Sequence, residues 1–241
     1  MPSPNTDRLA VLIDAENAQA SVIGDLLREV TRYGTATIKR AYGDWTTPNL
    51  NGWRETLHSL AIQPIQQFRH TIGKNATDSA LIIDAMDLLH GGRVDGFCLV
   101  SSDSDFTRLA TRVREAGLAV YGFGEKKTPR AFVAACDKFI YTEILRPPVA
   151  KRTAVAAPQE PLKPLLTAAI AGAAREDGWA PLSNVGSLVV KSNPSFDPRN
   201  YGCEKFGELV RRQSYLKVKK VSATDGSPHA HTYVRIKETS R

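Results

Sequence analysis

RLAVLIDAEN (residues 8–17) and GFCLVSSDSDF (residues 96–106) follow one plan. Each is a short apolar run that stops abruptly on carboxylates. A run of this length and composition reads as a strand buried on both faces, the kind found in parallel sheets covered by helices. In open parallel α/β sheets, ligands gather at the carboxyl ends of the strands. Both acidic clusters fall at such ends. Right-handed windings commonly make these two strands neighbours, so Asp14, Asn17, Asp103 and Asp105 are expected on one edge.

Working outward, strand and helix signals alternate. Helical patterns over 18–32, 50–60, 77–90, 104–116 and 129–135 separate strand patterns over 35–42, 61–68, 118–124 and 138–141. Pro64 favours an edge position for the strand at 61–68. The alternation predicts a mostly parallel sheet with helices on both faces. The helix at 77–90 adds a carboxylate. At about 100° per residue, with Leu81 as zero, its apolar face centres near 50°. Asp78 lies at about 60°, within that face and at the helix start, whereas Asp84 lies at about 300° and Asp87 at about 240°. Asp78 is therefore expected beside the strand tips.

Asp14, Asp78, Asp103 and Asp105 form a candidate catalytic and metal-binding set, with Asn17 beside them to orient water or phosphate. Like charges so close raise one another's pKa, and a cation relieves the conflict. Carboxylates without paired His or Cys favour Mg²⁺ or Mn²⁺ over zinc. Such ions suit phosphodiester hydrolysis. Plainer roles remain for each residue: Asp14 as a strand end or turn, Asp78 as a helix-start charge, Asp103 as a helix N-cap. The chain has no Walker A motif, no G-x-G-x-x-G after its first strand and no nucleophile elbow.

The 241 residues carry a net charge of +7. Residues 1–146 hold 17 Lys+Arg and 17 Asp+Glu, and residues 147–241 hold 15 and 8, so the whole excess lies in the second part. A basic segment joined to a neutral one points to a polyanion-binding module beside a working domain. RPPVAKRTAVAAPQEP (146–161) reads as a proline-rich linker. The expected division is 1–145, a linker at 146–161, and 162–241. The last part shows helical patterns at 162–177, 181–194 and 200–213. A hairpin of 215–221 and 231–237 follows, turning at Asp225-Gly226. That order is the order of a winged helix-turn-helix. The 42% hydrophobic content supports a real core, and no apolar run approaches the ~18 residues needed to span a bilayer. MPSPNTDR does not read as a secretory signal. Three scattered cysteines fit a reducing cytoplasm better than a disulfide framework.

LAVLIDAEN (9–17), the Lys74-to-Asp78 spacing leading into DSALIIDAM, and LVSSDSDF (99–106) resemble the NYN domain of LabA-like proteins, in the PIN-like nuclease superfamily. The resemblance covers about 8–145. It implies a PIN-like α/β/α sandwich, metal-dependent RNA cleavage, and Asp14, Asp78, Asp103 and Asp105 as the acidic motif, with Asn17 beside the first. LLTAAIAGAAREDGWAPLSNVGSLV (165–189) and FDPRNYGCEKFGELVRR (196–212) resemble the OST-HTH or LOTUS domain, which implies RNA binding or docking of a protein partner. With RNA as partner, Arg69, His70 and Lys74 before the third helix, and Lys126, Lys127 and Arg130 after the strand at 118–124, are placed to meet phosphates. Trp45 could stack a base or be packed. In the tail, Arg211 and Arg212 end the third helix, and alternation puts Lys217 and Lys219 on one exposed strand face. The expected function is a metal-dependent ribonuclease with a basic RNA-binding tail. A non-catalytic scaffold with a vestigial site, or a metal-dependent nucleotide phosphohydrolase, stays open.

Overall fold

The computed structural model describes residues 7–68, 76–145, 161–221 and 231–237. The chain falls into two compact units, Met1–Arg152 and Thr153–Arg241. No helix among the described residues is long and apolar enough to cross a membrane.

The first unit alternates strands and helices: β1 (Arg8–Asp14), α1 (Ile23–Val30), β2 (Thr35–Gly43), α2 (Arg54–Ser59), β3 (Gln63–Gln66), α3 (Ala76–His90), β4 (Gly96–Val100), α4 (Thr107–Glu115), β5 (Ala119–Gly124), α5 (Arg130–Ala135) and β6 (Lys138–Tyr141). The six strands order as β3-β2-β1-β4-β5-β6 and every pairing is parallel. β3, with Pro64, lies at the edge, where a missing N–H costs least.

Alternation along β1 divides the core in two. Ala10 and Leu12 join Leu81, Ala85 and Leu88 of α3, Leu109 and Val113 of α4, and Phe132 of α5. Leu9, Val11 and Ile13 join Ile23, Leu26 and Val30 of α1, with Trp53. α1 and α2 thus lie on one face and α3, α4 and α5 on the other, which makes an α/β/α sandwich. The winding reverses between β1 and β4, whose residues pair from Leu9 with Gly96 to Ile13 with Val100. Chains leaving these two strands turn to opposite faces, and a crevice opens at their carboxyl ends.

The second unit holds α6 (Leu162–Ala173), β7 (Ala180–Pro181), α7 (Leu182–Ser192), α8 (Phe206–Arg211), β8 (Leu216–Val221) and β9 (His231–Ile236). Its antiparallel sheet orders as β7-β9-β8. Leu166, Ile170, Val185, Val189, Phe196, Leu209 and Val234 form its core.

Two helical patterns of the second unit are cut short. α6 ends at Ala173 because Arg175–Trp179 closes into a turn: the Arg175 amide donates to the Trp179 carbonyl at 3.0 Å, and Gly178 takes φ +74°. The pattern at 200–213 splits. A 3-10 turn at Pro198–Tyr201 is capped by Asp197, whose carboxylate accepts from the Arg199 amide, and Gly202 then breaks the helix in a left-handed conformation. The two-residue β7 has no periodicity to reveal it. The Asp225-Gly226 turn lies outside the described residues.

Candidate functional site

β1 delivers Asp14 to the crevice, buried at 1% exposure. Its carboxylate is fully engaged. Oδ2 accepts from Ser101 Oγ at 2.7 Å and from the Asn17 side-chain amide at 2.8 Å. Oδ1 accepts from the backbone amides of Glu16 and Asn17 at 3.1 and 3.2 Å. Asp14 thereby folds the turn that leaves β1. Asn17 acts here as a partner of Asp14.

Ser101 follows β4 and is also buried. While donating to Asp14, its hydroxyl accepts from the Asp103 amide at 3.1 Å. One side chain therefore ties the tip of β1 to the loop after β4. Asp103 caps the next turn, accepting from the Asp105 amide at 3.0 Å. Its other oxygen has no part in that bond. Gly124 at the end of β5 lies so close that an added Cβ would meet the Ser101 carbonyl at 2.5 Å.

α3 supplies Asp78 in its first turn. Asp78, Asp103 and Asp105 each place a carboxylate oxygen so that all lie within 4.8 Å of one another. Asp78 and Asp103 are half-buried and Asp105 is exposed. Asp14 stands beside this trio without belonging to it. Burial pushes the Asp78 carboxyl up to about 6, and the charges of Asp14, Asp103, Asp105 and Glu16 add to the rise. Burial likewise raises Asp14, against the pull of the hydrogen bonds from Ser101, Asn17 and Glu16.

An all-oxygen trio with one solvent-facing member fits Mg²⁺ or Mn²⁺. Asp78, Asp103 and Asp105 would be its protein ligands. Asp14, expected with them as a ligand, lies beside this trio with its oxygens accepting from four donors.

The outlying sequence candidates fare differently. Arg69, His70 and Lys74 lie outside the described residues. Lys126 is half-buried, and its backbone amide donates to Glu143 at 2.9 Å. Lys127 pairs with Glu125 at 3.0 Å. Arg130, the first residue of α5, is exposed. Trp45 is packed: its indole N–H donates to the Ile65 carbonyl at 3.0 Å and its ring meets Trp53 edge-on. In the second unit Arg211 is exposed, while Arg212 binds Glu208 at 2.7 Å and the Gly202 carbonyl at 3.2 Å. Lys217 is exposed as expected. Lys219 is not: it is half-buried with its ammonium 4.2 Å from the centre of the Trp179 ring.

Sequence reasoning missed two contributors. Ser101 was visible as part of the acidic run, but only register reveals that it faces Asp14. Asp84, at the margin of the α3 apolar face, receives hydrogen bonds from Arg40 and Tyr42 of β2 and so anchors the helix that carries Asp78.

The NYN domain family model matches residues 8–145, and the OST-HTH/LOTUS domain model matches residues 155–227. No curated protein matches the chain. Among solved structures, a Vibrio parahaemolyticus protein of unknown function is 19% identical, with a TM-score of 0.48, covering 58% of this chain and 94% of its own. An uncharacterized protein of Nitrosomonas europaea is 28% identical, with a TM-score of 0.33, covering 40% of this chain and 90% of its own. A Chromobacterium violaceum protein segment is 35% identical, with a TM-score of 0.28, covering 34% of this chain and 87% of its own. With a parallel α/β/α sandwich, acidic strand tips and a matching sequence signature, the chain belongs to the NYN domain family, within the PIN-like nuclease superfamily, and carries an OST-HTH/LOTUS domain after it.

Proposed function

We propose that the chain is a metal-dependent ribonuclease. Residues 1–145 would cleave RNA phosphodiesters, 146–161 would tether, and 162–241 would hold the RNA. The observation that carries this reading is the trio Asp78, Asp103 and Asp105, with oxygens within 4.8 Å, at the crevice where the sheet winding reverses. A nucleotide phosphohydrolase would not need the basic tail, whose net charge of +7 (15 minus 8 over residues 147–241) favours a polyanionic substrate.

Mg²⁺ or Mn²⁺ held by the trio would supply charge neutralisation for the phosphodiester and activation of a water molecule. The chain's own residues do the positioning. Ser101 ties the loop that carries Asp103 to the buried Asp14 carboxylate. The Asn17 amide keeps the Asp14 carboxylate turned toward Ser101. Lys126 and Lys127 would bring positive charge to the RNA backbone in the first unit, and Arg211, Arg212, Lys217 and Lys219 would do so in the tail.

The test is incubation of the full chain with labelled structured and unstructured RNAs, with Mn²⁺ or with a chelator. Cleavage that appears with Mn²⁺ and vanishes with chelator is expected. Metal-independent cleavage, or RNA binding with no cleavage of any RNA under Mn²⁺, would replace this reading with that of a binding scaffold.

A further inference from the structure

The outer face of the sheet β7-β9-β8 has a composition that its fold does not require. The inner face is settled: Leu216, Val218, Val234 and Ile236 turn to the core. Pairing of Lys217 with Arg235 and of Lys219 with Tyr233 puts these four side chains together on the other side. Trp179, just before β7, joins them. The Lys219 ammonium lies 4.2 Å from the Trp179 ring centre and 5.7 Å from that of Tyr233. The Arg235 guanidinium lies 5.1 Å from Trp179, and the Arg175 guanidinium 5.2 Å from Tyr233. Two rings and three cations thus interleave. Each of these residues is at least partly solvent-accessible.

A cleft of about 740 Å³ opens beside this row. Arg175 and Tyr233 belong to both, and Ser183, Asn184 and Phe206 also line the cleft. The volume lies in the range of small-ligand sites. Its lining offers ring faces together with a hydroxyl and an amide, the mixture that a nucleobase can use: a π surface to stack on and hydrogen-bonding groups for its edge. Extended, rigid cation–aromatic rows suit unstacked bases whose phosphates meet the cations. An RNA duplex instead keeps its bases stacked and paired and is read across its minor groove through phosphates and 2′-hydroxyls, so it offers no free base face to these rings.

We propose that this row and its cleft form a single-stranded RNA platform, with one base against Tyr233 in the cleft and the backbone running over Arg175, Lys219 and Arg235. The proposal rests on RNA being the substrate, as set out above, and specifies its form and its seat.

Fluorescence anisotropy tests it with the full chain in chelator, so that no cleavage intervenes. The probes are a labelled mixed-sequence single-stranded RNA of twelve nucleotides and the same strand in a duplex. The wild type should prefer the single strand. Tyr233→Leu should weaken that binding about ten-fold, the scale of one lost base–aromatic stack, with the salt slope unchanged. Tyr233→Phe should restore it. Lys219→Gln should weaken binding and reduce the salt slope by about one contact. Melting curves confirm that each variant is folded, and Tyr233→Phe with Lys219→Gln carries the test should Tyr233→Leu not fold. Equal affinity for duplex and single strand, or wild-type affinity in both Tyr233→Leu and Lys219→Gln, would overturn the platform while leaving RNA as the substrate. Failure of the wild type to bind either probe would overturn the RNA reading itself.

Discussion

Ser101 is the side chain on which the acidic edge depends. It bridges a buried carboxylate and the backbone of a proposed ligand loop through one hydroxyl. Ser101→Ala would leave Asp14 short of a charge-assisted hydrogen bond and the Asp103 amide without its acceptor. The expected cost is about 1–3 kcal/mol in chemical denaturation, with slower RNA cleavage. An unchanged midpoint would show that Asp14 does not depend on this bond. Asp78 makes a second, opposite prediction. Its folded pKa of about 6 exceeds the ordinary carboxylate value of 3.8, so its contribution to stability is fully present below pH 3.8 and is lost as pH rises through about 6. Asp78→Asn should therefore stabilise the metal-free protein at pH 7, by about 1 kcal/mol once solvent screening of a half-exposed group is allowed for. It should also flatten stability between pH 4 and 6. Mn²⁺ should raise the melting temperature of the wild type and do so less for this variant. A steeper pH dependence in the variant would contradict the origin assigned to the shift. Asp14, Asp78, Asp103 and Asp105 were all legible as an acidic edge, because strand ends and helix angle can be counted along a chain. That Asp14 spends its oxygens on Ser101, Asn17 and two amides was not, because those bonds depend on turn geometry and on the register between β1 and β4.

The elements hold the site through their anchors. α3 carries Asp78 at its start and is fastened to β2 by Asp84, which accepts from both Arg40 and Tyr42. Tyr42 is fully buried. Asp84→Ala would strand its hydroxyl and the Arg40 guanidinium, and a loss of about 2 kcal/mol in urea unfolding is expected, together with weaker Mn²⁺ binding as the start of α3 loosens. Asp84→Asn, which keeps an acceptor, should lose less. Equal losses in both would mean that charge, not hydrogen bonding, fastens the helix. The order and type of the long elements were legible from apolar runs and turn residues. The exceptions have local causes. α6 stops early at the Arg175–Trp179 turn, and Gly202 cuts the helical pattern at 200–213. Pairing across β8 and β9 brings Lys219 to Trp179, from 40 residues earlier in the chain. No pattern within the β8 strand could announce that contact.

For the whole molecule, the uneven charge predicts that the two units can be separated in function. Residues 1–146 carry equal numbers of acidic and basic residues, 17 each, so removing 147–241 removes the entire net charge of +7. The shortened chain should fold, keep weak Mn²⁺-dependent cleavage, and bind RNA less tightly with a shallower salt dependence. Equal affinity of short and full chains at low and high salt would contradict the division of labour. The expectation of a boundary near residue 146 rests on charge and proline content changing together there. What the tail's sheet face offers a ligand was not legible, because it is assembled from two strands and a turn. The account as a whole stands on the acidic trio being catalytic. Asp103→Asn addresses this most cleanly, since Asn caps a helix as well as Asp and removes only the charge. The decisive measurement is the single-turnover RNA cleavage rate of the wild type and of Asp103→Asn across a Mn²⁺ titration. The account predicts a rate that rises with Mn²⁺ in the wild type and is at least a hundred-fold lower, about 2.7 kcal/mol, in a variant that melts normally. Undiminished cleavage by folded Asp103→Asn would contradict it.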